Sequence, residues 1–166
     1  MFELKRLSPE GIERALEKVE RYRLLNEPWE AESISRDVLE VDPGNEEARI
    51  QLLLSLTDQF GQEGAPGVED AETVLEALDG EYERAYYAGI ICERKGTTYL
   101  KRGALGSGPV VYDWLRKAMA HYERAQELSA PRNEDALVRW NTCARIIMGH
   151  DHVREAPGDR SVTFLE

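Results

Sequence analysis

The sequence predicts an all-α protein made of antiparallel helix hairpins, and three observations predict it. Apolar residues recur at helical spacing in seven separate stretches, Gly, Pro and Asn punctuate the gaps between them, and no segment alternates apolar and polar residues as a half-buried strand requires. At 166 residues the chain is long enough for one compact domain or one short solenoid with a continuous core. A composition 42% hydrophobic and 32% charged, with 13 Gly and 7 Pro, fits a folded helical protein better than a disordered tail or a fibre.

Ser8 and Pro9 supply an N-cap and a first-turn proline, and Ile12, Ala15, Leu16, Val19 and Tyr22 then give the first helix, to about residue 25. Pro28 opens the second, whose apolar face is Ala31, Ile34, Val38, Leu39 and Val41; Asp42, Pro43, Gly44 and Asn45 close it as a turn. Asn45 caps a third helix, the most apolar stretch of the chain, carrying Ala48, Ile50, Leu52, Leu53, Leu54, Leu56 and Phe60. Residues 61–67 hold three glycines and Pro66 and form the first long loop. A short fourth helix over residues 69–78 ends at the Asp79 and Gly80 turn. The fifth covers 82–95, with Ala85, Ala88, Gly89 and Cys92 as a line of small residues that permits close helix contact; the pattern leaves open whether it continues past Gly96. Residues 103–108 are a second glycine-rich loop, Pro109 starts a sixth helix to about 128, and a seventh runs from about 134 to Met148 before Gly149. The boundaries are thus a helical domain over residues 1–149 and a C-terminal tail over 150–166.

Charge and composition narrow the function. Lys and Arg number 21 against 32 Asp and Glu, and a formal net charge of -11 repels nucleic-acid phosphates and anionic lipid surfaces, so neither nucleic acid nor membrane is an expected partner. No apolar run reaches signal-peptide or membrane-spanning character, which leads to a cytoplasmic expectation. Cys92 and Cys143 are too few for a disulfide framework or a thiolate zinc site and read as small buried packing residues.

The second, fourth and sixth helices share one pattern of a small residue, then four, then three: Ala31, Ser35, Val38; Ala71, Leu75, Leu78; Ala118, Tyr122, Ala125. Pro43 and Pro131 close the first and third units. Tyr22, Leu52, Leu56, Gly89, Trp140 and Asn141 fall at matching places in the first helices. This pattern resembles the tetratricopeptide repeat, a 34-residue helix pair. The resemblance covers about residues 9–148 and implies a short right-handed α-α superhelix of about three pairs plus a C-terminal capping helix. Lys18 stands where a leucine is usual, Ser35 where an aromatic is usual, and the second unit lacks its proline. The intervals from Ala31 to Ala71 and Ala71 to Ala118 are 40 and 47 residues, longer by the two glycine-rich loops. An irregular helical bundle is the alternative architecture.

The third and fifth helices are apolar on two sides. Ile50 and Leu54 lie opposite Leu52 and Leu56, and Tyr86 and Ile90 opposite Ala85 and Gly89. Members of the family receive a peptide or helix in a concave groove, and the resemblance places Leu16, Ile50, Leu54, Tyr86, Ile90 and Val138 there, with Arg23, Arg94 and Arg145 on its edge. The lysines and asparagines by which some members hold acidic chaperone tails are absent from these positions, so an apolar or amphipathic ligand segment suits the groove better. The expected function is a non-enzymatic protein-protein interaction module. A self-assembling structural module is the alternative, and a metal-dependent hydrolase using His150 and His152 the remote one. His121 reads as a surface or packing residue, acidic pairs such as Glu46 with Glu47 and Glu69 with Asp70 sit where helix dipoles favour them, and no phosphate loop or nucleophile elbow is present; no cofactor or metal is implied. Val162, Phe164 and Leu165 follow a polar linker, and the tail they form is a candidate for docking into the groove of its own or a neighbouring chain, with Glu166 meeting the groove-edge arginines.

Overall fold

A computed structural model describes residues 2–157. The described residues form seven α-helices and no strand: α1 (Ile12–Leu24), α2 (Pro28–Val41), α3 (Glu46–Asp58), α4 (Val68–Glu76), α5 (Glu81–Arg102), α6 (Gly108–Leu128) and α7 (Asp135–Met148), with a 3₁₀ turn at Pro9–Gly11 ahead of α1. None is long and apolar enough to cross a membrane. The expected helices are all present. Asn45 caps α3 as read, its Oδ1 accepting from the Ala48 amide at 2.9 Å. Ser8 makes no side-chain cap; its carbonyl instead accepts from Gly11 N at 3.0 Å and closes the 3₁₀ turn. The open question at Gly96 is answered by α5, which continues to Arg102 and ends on Gly103 at φ +60, where the Gly103 amide bonds back to the carbonyls of Tyr99 and Leu100.

Consecutive helices pack on one another in chain order, and α1 also packs on α3, and α3 on α5. The core follows that order in three clusters. Ala15 and Leu16 of α1, Val38 of α2 and Ala48 of α3 form the first. Leu52, Leu53 and Leu56 of α3, Ala71 of α4, Leu78 in the turn after α4, and Ile91 of α5 form the second. The third joins Ile90 and Cys92 of α5, Val111, Leu115, Ala118, Met119, Tyr122 and Ala125 of α6, and Ala136 and Cys143 of α7. Helices α3 and α5 therefore each belong to two clusters, because each is apolar on more than one side and buries those sides against different neighbours. Ala31, Ala71 and Ala118, the small residues of the pattern, are all at 0% exposure. Ser35 is buried as well and satisfies its hydroxyl on the Ala31 carbonyl at 2.8 Å.

The α5–α6 pair is the most extensive contact, and small residues on α5 make it possible. Gly89 lies directly under the Tyr122 ring, so that an added Cβ would stand 2.7 Å from Tyr122 Cδ1; at Gly96 the same atom would meet Trp114 and Leu115 at 3.2 and 3.3 Å. Folded packing also continues past Gly149: Val153 is 2% exposed within the third cluster, and the chain at His152 crosses Gly108 so closely that a Cβ there has no room. The tail residues Val162, Phe164, Leu165 and Glu166 lie outside the described residues.

An alanine replacing glycine inside an unobstructed helix raises stability by about 0.5–1 kcal/mol. Gly89→Ala is expected to do the opposite and lower it by about 1–3 kcal/mol, since the methyl forces Tyr122 out of place. The sign of the shift in the urea unfolding midpoint decides between the two.

Candidate functional site

Asp58, the last residue of α3, joins three helices. Its Oδ2 accepts from Arg23 Nε of α1 at 2.8 Å, and its Oδ1 pairs with Arg94 Nη1 of α5 at 2.8 Å. Arg23 Nη1 also donates to Gln51 Oε1 at 3.2 Å. A carboxylate at a helix C-terminus opposes the helix dipole; two guanidinium groups, one on each oxygen, outweigh that penalty. The consequence is geometric. Facing sides of α1, α3 and α5 are locked side by side.

One turn before Asp58 stands half-buried Leu54, and two turns before Arg94 stands half-buried Tyr87, each packed against two of the core clusters; Tyr86 packs against the third cluster. Tyr86 and Tyr87 meet edge to face at 5.2 Å, Tyr82 stacks on Tyr86 at 5.8 Å, and Tyr86 leans on Tyr122 at 5.9 Å. Beneath them lies a buried polar chain. Tyr122 OH donates to Glu93 Oε2 at 2.6 Å, and Arg139 Nη1 of α7 donates to Glu93 Oε1 at 2.9 Å. Glu93 is 5% exposed, and these two donors satisfy both of its carboxyl oxygens.

The nine residues expected in the groove divide accordingly. Arg23 and Arg94 meet at Asp58 with Leu54 one turn before it, Tyr86 packs against Tyr122 of α6, and Ile50 lies half-buried against the second cluster. Leu16 and Ile90 are corrections: at 8% and 1% exposure they belong to the core, because α5 is enclosed on both sides at its middle and α1 is covered by α2 and α3. Val138, 58% exposed, and Arg145 stand on the outer side of α7, whose link to α5 is Arg139 instead. Sequence reasoning missed Asp58, Gln51, Tyr87 and Glu93. Asp58 was findable, since it follows Ile50 and Leu54 at four-residue steps; Glu93 sits one turn beyond Gly89 on the small-residue line, a place where a charge needs a buried partner.

His150 and His152 face each other edge to face at 5.8 Å, and His150 Nδ1 is engaged by the Ile146 carbonyl at 2.8 Å. Among the described residues no group of three or more His, Cys, Asp or Glu could hold a metal ion. Burial pushes the Cys92 thiol up to about 11 and that of Cys143 up to about 12, which leaves both protonated and unreactive. No family model matches the chain, and no curated protein or solved structure matches it.

Two measurements check this site. Asp58→Ala leaves two guanidinium groups facing each other, and the expected loss is about 1.5–3 kcal/mol, the worth of hydrogen bonds to charged groups. The loss should shrink at 1 M salt, roughly, where the Debye length falls to about 3 Å and the repulsion is screened.

The second is alkaline. Burial raises Tyr87 to about 12 and raises Tyr122 further, alongside the two thiols. Protons held more tightly in the folded state give stability that is complete below the unfolded values, 9.0 for Cys and 10.0 for Tyr, and is lost as pH rises toward the folded ones. The urea midpoint is expected to hold to about pH 8 and then fall, with each group adding a slope of about 1.4 kcal/mol per pH unit. Tyr87→Phe should flatten the fall above about pH 10.

Proposed function

We propose that the chain is a non-enzymatic interaction module of tetratricopeptide type whose α1–α3–α5 face receives a peptide or amphipathic helix of a partner protein. The observation that carries this reading is Asp58, which holds Arg23 and Arg94 and so aligns the first helices of three hairpins along one face. The three core clusters sharing α3 and α5 support stacked hairpins wound as a short superhelix, and the complete burial of Ala31, Ala71 and Ala118 supports the repeat register. The face offers apolar and aromatic surface at Leu54 and Tyr87 beside fixed charges, a mixture that suits an amphipathic segment: apolar side chains anchor it and polar ones set its direction.

A photo-crosslinking residue placed at Leu54 or Tyr87, with one at exposed Ala120 on α6 as control, tests the reading in extract of the source organism. Adducts with a different polypeptide from positions 54 and 87, and not from 120, are expected. Adducts only between copies of the chain, with a mass by light scattering that rises with concentration, would replace this reading by the self-assembling module. Absence of adducts from 54 and 87, or equal adducts from all three, would overturn it.

A further inference from the structure

The chain carries a net charge of -11, yet cations collect at one end of the α3–α5 face. Helix α5 outruns α3, and its last two turns lie against the segment that follows Asp58. Between them is a cleft of about 300 Å³ whose lining includes Asp58, Gly61, Arg94, Thr98, Lys101 and Arg102. Its wall is firmly built. Arg102 Nη2 donates to the Gly61 carbonyl at 3.2 Å, and Thr98 Oγ1 donates to the Arg94 carbonyl at 2.8 Å. Gly61, at φ +92, comes so near α5 that a Cβ would stand 2.6 Å from Thr98 Cγ2. Arg94 is paired with Asp58, and among the described residues Lys101 makes no ion pair. Three cations, Arg94, Lys101 and Arg102, against one carboxylate leave the lining with two positive charges in excess.

We propose that this cleft binds a compact dianion, the phosphate of a phosphorylated serine or threonine in a partner peptide. A phosphomonoester carries about -1.5 to -2 and balances the excess, whereas a single carboxylate leaves half of it. A longer acidic run would gather the same charge only by extending over a surface that is itself strongly negative. The arginine forks add bidentate geometry. The proposal rests on the interaction-module reading and fixes spacing within it. From Tyr87 to Lys101 the axis of α5 rises about 21 Å, so the phosphorylated residue lies about six extended residues from an apolar anchor on Leu54 and Tyr87.

Cations in the last turn of α5 also complement its dipole, and the experiment separates that role from binding. The full chain, labelled with ¹⁵N, is titrated at constant ionic strength with three probes: inorganic phosphate, N-acetyl-O-phosphothreonine amide and N-acetylglutamate amide. Saturable shifts at the amides of Gly61, Gln62, Thr98, Lys101 and Arg102 are expected with capped phosphothreonine, at concentrations at least about tenfold below those needed for capped glutamate, one charge of difference being worth that factor at close range. The Lys101→Gln, Arg102→Gln pair should abolish them while the unfolding midpoint holds; if that pair is destabilised, Lys101→Gln alone, at an exposed position, should weaken binding several-fold. Inorganic phosphate binding more tightly than capped phosphothreonine would assign the cleft to free phosphate and overturn the proposal. Equal response to the glutamate probe, or shifts unchanged in the variants, would overturn it as well. A partner crosslinked at 54 or 87 without phosphothreonine binding would remove this site and leave the module reading in place.

Discussion

The approach of α6 to α5 at Gly89 is the constraint on which most of the C-terminal half depends. A tyrosine ring occupies the space a side chain would take, and that ring is wholly buried, so its hydroxyl must find an acceptor within the protein. Glu93, one turn along α5, is that acceptor, and a carboxylate at that depth in turn requires a cation. Arg139 supplies it from α7. Each requirement generates the next, and together they set the positions of three helices through buried and part-buried contacts. Burial of the guanidinium disfavours its charge, but the adjacent Glu93 more than compensates and holds Arg139 protonated beyond its ordinary range.

The N-terminal half is organised by a different device. Its first cluster is small, and the register between α1, α3 and α5 is enforced at the surface by Asp58 with its two arginines. Elsewhere long-range ties are made by charged side chains reaching turns: Arg49 pairs with Glu46 and Asp79 and donates to the Pro43 carbonyl at 2.8 Å, and Arg84 donates to the carbonyls of Leu78 and Asp79. These contacts stitch the turn between α2 and α3 to the turn between α4 and α5, so that neighbouring hairpins are held at their ends as well as through their cores.

Helix existence was legible because Ala31, Val38, Leu52, Leu56, Ala118 and Ala125 repeat at helical spacing between strong Gly and Pro breaks, and periodicity of that kind reports which face is buried. The extent of α5 was not, because Gly96 reads as a stop signal; only the presence of Trp114 and Leu115 opposite it shows that the glycine is there for close packing. The candidate face was half legible. Spacing places a residue on a side of a helix but cannot tell how completely a neighbour covers that side, which is why Leu16 and Ile90 turned inward while Leu54 stayed half-exposed. Ion pairs across 35 residues, such as Arg23 with Asp58, leave no local trace at all.

Sharing α3 and α5 between clusters has a bearing on how the molecule opens. A helix with buried members in two cores cannot leave one without exposing the other, whereas the buried cluster members of α1 and α2 all belong to one core, which has four such members against eleven in the last. Local opening free energies are therefore graded along the chain, lowest at the amino end. Amide protons of α1 and α2 would exchange through excursions that leave α5, α6 and α7 closed. Because Arg23 takes part in those excursions, the Asp58 carboxylate is intermittently released to a single partner, and the α1–α3–α5 side of the protein fluctuates between a braced and a partly unbraced form without global unfolding.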